Sequence, residues 1–324
     1  MSQHSFSAGV KNELSKKYSA DEEGLRAEFA AILNTGAHIS EDCGSIQIQS
    51  EQESIVKKVF TLAEKLFRIR MSVSVRTGKQ HQTVQHLASL TEPAEVRRIL
   101  DELGLLSSLE GGRFRYLRRI PEEQITKLSS EQAYIRGAFL GGGSLTDPRK
   151  TYHLELINSC REHQEGLRHM MRHFDLDVGM IMRSRGRQDV YVLYLKEGEQ
   201  IVDLLNVMQA YTALMDLENV RIEKEVRNQI NRSVNCEAAN LQKVVQAALK
   251  QVEDIEYLVR HLGWESLPPP LAQMAKIRLE HREESLQELG KLLDPPVGRS
   301  GVNHRLRRLS QMAEKLRQEQ KNEE

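Results

Sequence analysis

The chain has 324 residues, in which 46 Lys+Arg balance 46 Asp+Glu, and only 5% of its side chains are aromatic. That length is enough for two domains; no apolar run reaches the length of a bilayer crossing and no apolar signal core stands near the start, so the expectation is a soluble, cytoplasmic protein without a membrane partner. Cys43, Cys160 and Cys236 lie far apart, which argues against a disulfide framework or a zinc site, and the scarcity of aromatics argues against a stacking platform for single-stranded nucleic acid.

In chain order, the first pattern is an apolar helix over 22–35 that stops at Gly36. Strands follow near 37–41 and 45–50, a helix over 51–67, strands near 71–77 and 82–89, and a helix over 92–103. The alternation of Val73 and Val75 suits a half-buried strand, with Gly78 in the hairpin turn. The same succession then recurs. A helix over 131–140 runs into Gly141-Gly142-Gly143, followed by strands near 144–147 and 152–158, a helix over 162–174, strands near 178–184 and 189–196 with Gly186 in their turn, and a helix over 199–207. Gly36 and Gly143 are 107 residues apart, and the same step carries Phe67 to Phe174, Arg76 to Arg183 and Val84 to Tyr191. A step held over so many elements signals an internal duplication. Two such units would pack about a pseudo-dyad, and the glycine-ended helices are the natural seam, because Gly137, Gly141, Gly142 and Gly143 let two backbones approach.

Beyond the duplication, Leu241, Val244, Val245, Val252, Ile255 and Val259 recur at helical spacing over 237–262, with Gly263 placed to cap the end. Pro270 suits the first turn of a helix over 271–282. Ser285 then caps a short helix, with Glu288 placed for a capping box, and Leu286, Leu289 and Leu293 line one face. The segment Asp294-Pro295-Pro296-Val297-Gly298 stops it. Ser300 is expected to cap the following helix, where Val302, Leu306, Leu309, Ala313 and Leu316 form the core-facing stripe. The opposite arc holds Ser300, Asn303, His304, Arg307 and Arg308, with Arg305 on the flank. Arginine suits phosphates and guanine edges, asparagine suits adenine, and serine suits phosphate. The two helices read as a helix-turn-helix that contacts duplex DNA through Ser285, Arg299, Ser300, Asn303, His304, Arg305, Arg307 and Arg308. Its linking segment is longer than the tightest such turns.

The residues at this point match a known family. Ser5-Phe6-Ser7 with Val10-Lys11-Asn12-Glu13-Leu14, then 135–144, then Arg227-Asn228 with 231–237 and Ala239-Asn240, and finally 294–305 resemble the bacterial WhiA family over nearly the whole chain. The resemblance implies an α+β fold: a duplicated α-β-β-α-β-β-α domain of the LAGLIDADG homing-endonuclease type with pseudo-two-fold symmetry, followed by an all-α helix-turn-helix domain. The expected division is 1–220, with repeat units of about 22–104 and 130–210, and 221–324. It also implies a DNA-binding transcriptional regulator involved in cell division, chromosome segregation or sporulation, nucleoid-associated, with another transcription factor or RNA polymerase as a partner.

Homing endonucleases place an acid at the end of each seam helix to hold catalytic metal. Setting Gly36 and Gly143 on the motif's last glycine puts Thr35 and Gly142 at those positions, and neither offers the anionic oxygen that Mg²⁺ prefers. Glu41, Asp42 and Asp147 lie beyond the helix ends and are read as solvated. The expectation is no catalytic residue, no metal, no cofactor, no small-molecule ligand and no nuclease activity. Around the second hairpin of each unit, Arg76, Lys79 and His81 correspond roughly to Arg183, Arg185 and Arg187; they read equally well as phosphate contacts or as charge that keeps the hairpins solvated. Two alternatives stay open: an interaction scaffold, or a residual metal-dependent endonuclease using displaced acids.

Overall fold

The computed structural model describes residues 5–77, 84–186 and 188–323. These fall into two compact units, one ending at Lys224 and one beginning at Glu225.

The first unit opens with α1 (Phe6–Ser15), a helix absent from the sequence reading. Ser5 caps it, its hydroxyl oxygen accepting the Ala8 N–H at 3.2 Å. Two copies of one motif follow. The first is α2 (Glu22–Gly36), β1 (Ala37–Ile39), β2 (Ile46–Ser50), α3 (Glu53–Phe67), β3 (Ser72–Thr77), β4 (Val84–Leu90) and α4 (Pro93–Glu102). After a short hairpin, β5 (Leu106–Leu109) with β6 (Arg113–Tyr116), comes the second: α5 (Leu128–Gly142), β7 (Gly143–Leu145), β8 (Leu154–Asn158), α6 (Arg161–Arg172), β9 (Gly179–Arg185), β10 (Gln188–Leu195) and α7 (Gly198–Val207). The sheets are antiparallel with matching orders, β1-β2-β4-β3 and β7-β8-β10-β9, so the duplication holds at the level of topology. Strand alternation is clearest in β2, where Ile46 and Ile48 are buried and Gln47 and Gln49 exposed. The β5–β6 hairpin was also missed. Its turn residues are visible in the sequence: Glu110-Gly111-Gly112 links Leu109 to its partner Arg113, and both glycines take positive φ (77° and 71°), a region glycine enters freely.

α2 and α5 pack against each other through backbone-close contacts. A Cβ on Gly36 would sit 2.9 Å from the Gly141 Cα, and one on Gly137 or Gly141 would collide with Glu28 O or Thr35 Oγ1 respectively. The seam therefore needs its glycines. The two helices end at Gly36 and Gly142, a step of 106 and not the 107 obtained by aligning Gly36 with Gly143. The nearest residue across from Thr35 is Gly141, while Gly142 lies further along, with Ile157 O 2.6 Å from where its Cβ would be. Sequence alignment fixed the last glycine of a three-glycine run; backbone packing selects the middle one.

α8 (Tyr211–Leu262) begins well before the expected residue 237. No glycine or proline interrupts 211–262, and Ala213 and Leu217 belong to the core of the first unit. Its far end stops as expected, at Gly263 with φ +75°.

In the second unit the later part of α8 joins α9 (Pro269–Glu280), α10 (Leu286–Lys291) and α11 (Arg299–Glu323). Their core is Ile255, Leu258, Met274, Leu289, Leu293, Val302, Leu306, Leu309 and Ala313 among others, which includes the apolar stripe expected of α11. Among the described residues, no helix is long and apolar enough to cross a membrane.

Candidate nucleic-acid interface

α10, the segment 292–298 and α11 form the helix-turn-helix. Ser285 caps α10, its Oγ accepting from the Glu288 N–H at 3.3 Å. The other half of the expected capping box is replaced: the Glu288 carboxylate accepts from Lys291 Nζ at 2.8 Å, one turn on. The linking segment folds back on α10. Val297 N–H donates to Gly290 O at 3.0 Å, and Gln273 Nε2 of α9 donates to Asp294 O at 3.1 Å. Gly290 is obligatory at this crossing, because a Cβ there would run into Val297 O and approach Val302 Cγ2 to 3.2 Å. Arg278 was not singled out from the sequence. It is buried on α9, and its NH1 donates to Glu284 O at 2.7 Å, which fixes the approach to the Ser285 cap. Burial holds its guanidinium pKa below the usual arginine value.

α11 begins at Arg299, so Ser300 stands in its first turn and is not the cap; Val302 N–H closes the first turn on Gly298 O at 3.1 Å. Gly298, without a side chain, leaves that terminus uncapped by any hydroxyl. Arg299, Ser300, Asn303, His304, Arg307 and Arg308 are all exposed. Arg305 is half-buried on the flank. The arc thus forms one continuous surface, backed by the buried Val302, Leu306 and Leu309. No acid interrupts 299–313. The far part of α11 is tied down by Arg317, which donates to the buried Asp254 at 2.7 Å and stacks 4.6 Å over the Tyr257 ring.

The hairpin residues divide. Arg76 lies on β3, exposed, opposite Gln85. Its face of the sheet also carries Gln47, Gln49 and Ser74, which the register places on the same side. Arg183 on β9 is committed elsewhere, with NH2 and NH1 donating to Glu155 at 2.6 and 3.1 Å. Glu155 also meets His153 Nε2 at 2.7 Å, and Arg183 first, then His153, hold its carboxyl below the usual range. Arg185 ends β9. Lys79, His81, Gly78 and Arg187 lie outside the described residues.

At the seam's end, Thr35 Oγ1 donates to Ala31 O at 2.7 Å, so its hydroxyl completes its own helix. Gly141 and Gly142 bring no side chain. Of the acids beyond the helix ends, Asp42 accepts from Ser40 Oγ at 2.6 Å and Gly44 N–H at 3.1 Å, Asp147 accepts from Arg149 N–H at 2.9 Å, and Glu41 is exposed. Among the described residues no group of three His, Cys, Asp or Glu side chains is placed to hold a metal ion.

Two buried polar clusters brace the seam, and sequence reasoning found neither. Glu28 of α2 receives Arg136 of α5 at 2.8 and 3.1 Å and Lys58 of α3 at 2.6 Å. Lys58 Nζ also donates to the carbonyls of Leu14 (3.0 Å) and Lys17 at the end of α1. Burial pulls the Lys58 pKa down to about 8 against the opposing pull of Glu28. In the second cluster His163 Nε2 lies 2.8 Å from Tyr134 OH and Nδ1 3.2 Å from Asn158 Nδ2, while Tyr116 OH donates to Asn34 Oδ1 at 2.6 Å. Burial pushes the His163 pKa down to about 4. A lone charge inside each of the apolar runs 27–33 and 133–140 was the available signal, since such charges are buried only when paired.

A duplicated LAGLIDADG-like scaffold without carboxylates at its seam ends, joined to a helix-turn-helix unit, defines a protein of the LAGLIDADG-like, helix-turn-helix class. The WhiA LAGLIDADG-like domain family matches residues 131–227 and the WhiA C-terminal HTH domain family matches 230–313. Proteins called probable cell division protein WhiA are 42% identical over 319 residues in Alkaliphilus oremlandii and 41% over 318 in Thermoanaerobacter pseudethanolicus, each match covering 97% of this chain and 98% of the relative. The crystal structure of full-length DUF199/WhiA from Thermatoga maritima shares the fold, at 23% identity and a TM-score of 0.57, over 96% of this chain and 99% of that one. The chain belongs to the WhiA family.

Proposed function

We propose that the protein is a DNA-binding regulator of cell division, acting in the cytoplasm on the nucleoid, and that the polar arc of α11 is its duplex-reading surface. The observation that carries this reading is the arc itself. Asn303, His304, Arg307 and Arg308 are exposed on a helix whose opposite face is buried in the core of the second unit. An acid-free stretch with this mix of donors matches what a major groove presents. The relatives' names supply the cell-division setting. The seam ends lack a carboxylate pair that would clamp metal on a scissile phosphate, so the first unit is a scaffold and not a nuclease. Among the described residues of its sheets, Arg183 is paired with Glu155 while Arg76, Arg113 and Arg115 are exposed, and the mixed donor arc of α11 is the stronger candidate for reading DNA.

Selection of bound duplexes from a randomised pool tests the reading. The wild-type chain is expected to enrich one motif, and Asn303→Ala to relax preference at a single base position by about 1–3 kcal/mol. Enrichment of no motif, or an unchanged motif in Asn303→Ala, contradicts it. Plasmid incubated with Mg²⁺ or Mn²⁺ should stay supercoiled; nicking abolished by Asp147→Asn would restore the endonuclease alternative.

A further inference from the structure

The β5–β6 hairpin stands between the two copies of the repeated motif and belongs to neither. One side of it is anchored. Phe114 and Tyr116 pack against the core of the first unit, the Arg97 guanidinium lies 4.3 Å over the Phe114 ring, and Tyr116 OH donates to Asn34 at 2.6 Å. Strand alternation turns Arg113 and Arg115 to the other side, where both are exposed. Across the ladder they face Leu109 and Ser107, so β5 sets no acid opposite either guanidinium, although a carboxylate is the favourable cross-strand partner for an arginine. The sheet has two strands, and the N–H and C=O of every second residue of β6 point away from β5. Among the described residues, no backbone group outside the hairpin pairs with them.

We propose that β6 is a docking edge for an extended acidic segment of a partner protein, which adds as a third strand and sets carboxylates two residues apart beside Arg113 and Arg115. The two-residue period carries the argument. A strand laid along β6 runs about 4.8 Å from it, so alternate side chains on its outward face come within ion-pair reach of the two arginines while its backbone satisfies the open edge. The ladder supplies affinity and the charges supply selectivity. The anchored inner side holds the edge in place before a partner arrives, which lowers the ordering cost of binding. Nucleic acid fits this face less well. Glu110 stands in the turn and Leu109 is 42% exposed opposite Arg113; a phosphate backbone is repelled by the first and gains nothing from the second. A second copy also fits less well, because β6 paired antiparallel on β6 about a two-fold axis would set arginine against arginine.

The experiment is fluorescence anisotropy of a short labelled peptide, alternating glutamate and valine, titrated with the full chain at low salt. Saturable binding is expected, weakened about tenfold when glutamine replaces the glutamates and abolished by N-methylation of every peptide amide, which removes the ladder. Arg113→Glu with Arg115→Glu should lose the glutamate peptide and gain one that alternates lysine with valine, with far-UV circular dichroism unchanged because both side chains are exposed. Arg113→Gln with Arg115→Gln should bind duplex DNA as the wild type does, which separates this proposal from the assignment of DNA recognition to α11. Failure of the glutamate peptide to bind overturns the proposal, as does binding that survives N-methylation, or a charge reversal that does not exchange the preferred peptide. A loss of duplex affinity in the glutamine variant assigns the face to nucleic acid and overturns it as well.

Discussion

His163 is a neutral imidazole locked between Tyr134 and Asn158. Its folded pKa, about 4, lies below the ordinary 6.5. Between these values the unfolded chain binds a proton that the folded chain does not, so stability falls as pH drops through 6.5 toward 4. The full loss is about 3 kcal/mol by linkage. Urea midpoints measured over pH 7 to 4 should show this slope in the wild type and a shallower one in His163→Gln. Glu28 makes a sharper case. It neutralises one of two buried cations, Arg136 and Lys58, and Glu28→Gln leaves both uncompensated at a cost of about 3–5 kcal/mol. Lys58→Met keeps the Glu28–Arg136 pair and orphans only carbonyls at the end of α1, so it should cost about 1–3 kcal/mol. Equal losses in equilibrium unfolding would contradict this division. Of these residues the sequence disclosed little, because pairing between 28, 58 and 136 depends on three helices meeting. By contrast, the side of α11 on which Asn303, Arg307 and Arg308 stand was legible, since a single helix's period determines it.

At the scale of the element, two helices of the first unit are capped by carboxylates borrowed from other helices. Glu23 of α2 accepts from Thr126 N–H (2.8 Å), Lys127 N–H (3.1 Å) and Ser130 Oγ (2.7 Å) at the start of α5. The Ser130 hydroxyl first, then the Thr126 amide, hold its pKa down to about 2. Glu13 of α1 accepts from Thr212 and Ala213 N–H at 2.8 and 3.0 Å at the start of α8. Orphan amides at a helix start need such partners. The N-terminal motif that carried the family resemblance therefore has a structural basis: Ser5 caps α1, Ser7 Oγ accepts Leu145 N–H at 3.1 Å, and Glu13 caps α8. Glu23→Ala is expected to cost about 1–2 kcal/mol of thermal or urea stability, and a neutral result would refute the borrowed cap. Element order was readable because hydrophobic period and glycine stops are local. The start of α8 was not, because nothing between 211 and 237 departs from helix-compatible sequence and only tertiary packing of Ala213 and Leu217 shows that the helix already exists there.

For the molecule as a whole, formal charge is zero, so attraction to a polyanion must come from segregation of charge. Some charges of the first unit are paired within it, as in Arg183–Glu155, Arg136–Glu28 and Arg119–Glu123. In the second unit the α11 arc keeps Arg299, Arg307 and Arg308 exposed, with Arg305 at its margin. The salt dependence of DNA binding is therefore expected to reside in α11. The direct measurement is equilibrium binding of duplex DNA by the full chain across 50–200 mM salt, a range set by the strength of counterion release. The wild type should lose affinity with a log–log slope of about −3 to −4, and Arg307→Ala with Arg308→Ala should flatten that slope by about 2 while weakening binding on the order of a hundredfold at 100 mM salt. A double variant that follows the wild-type curve at every salt concentration would contradict the assignment of DNA recognition to this helix.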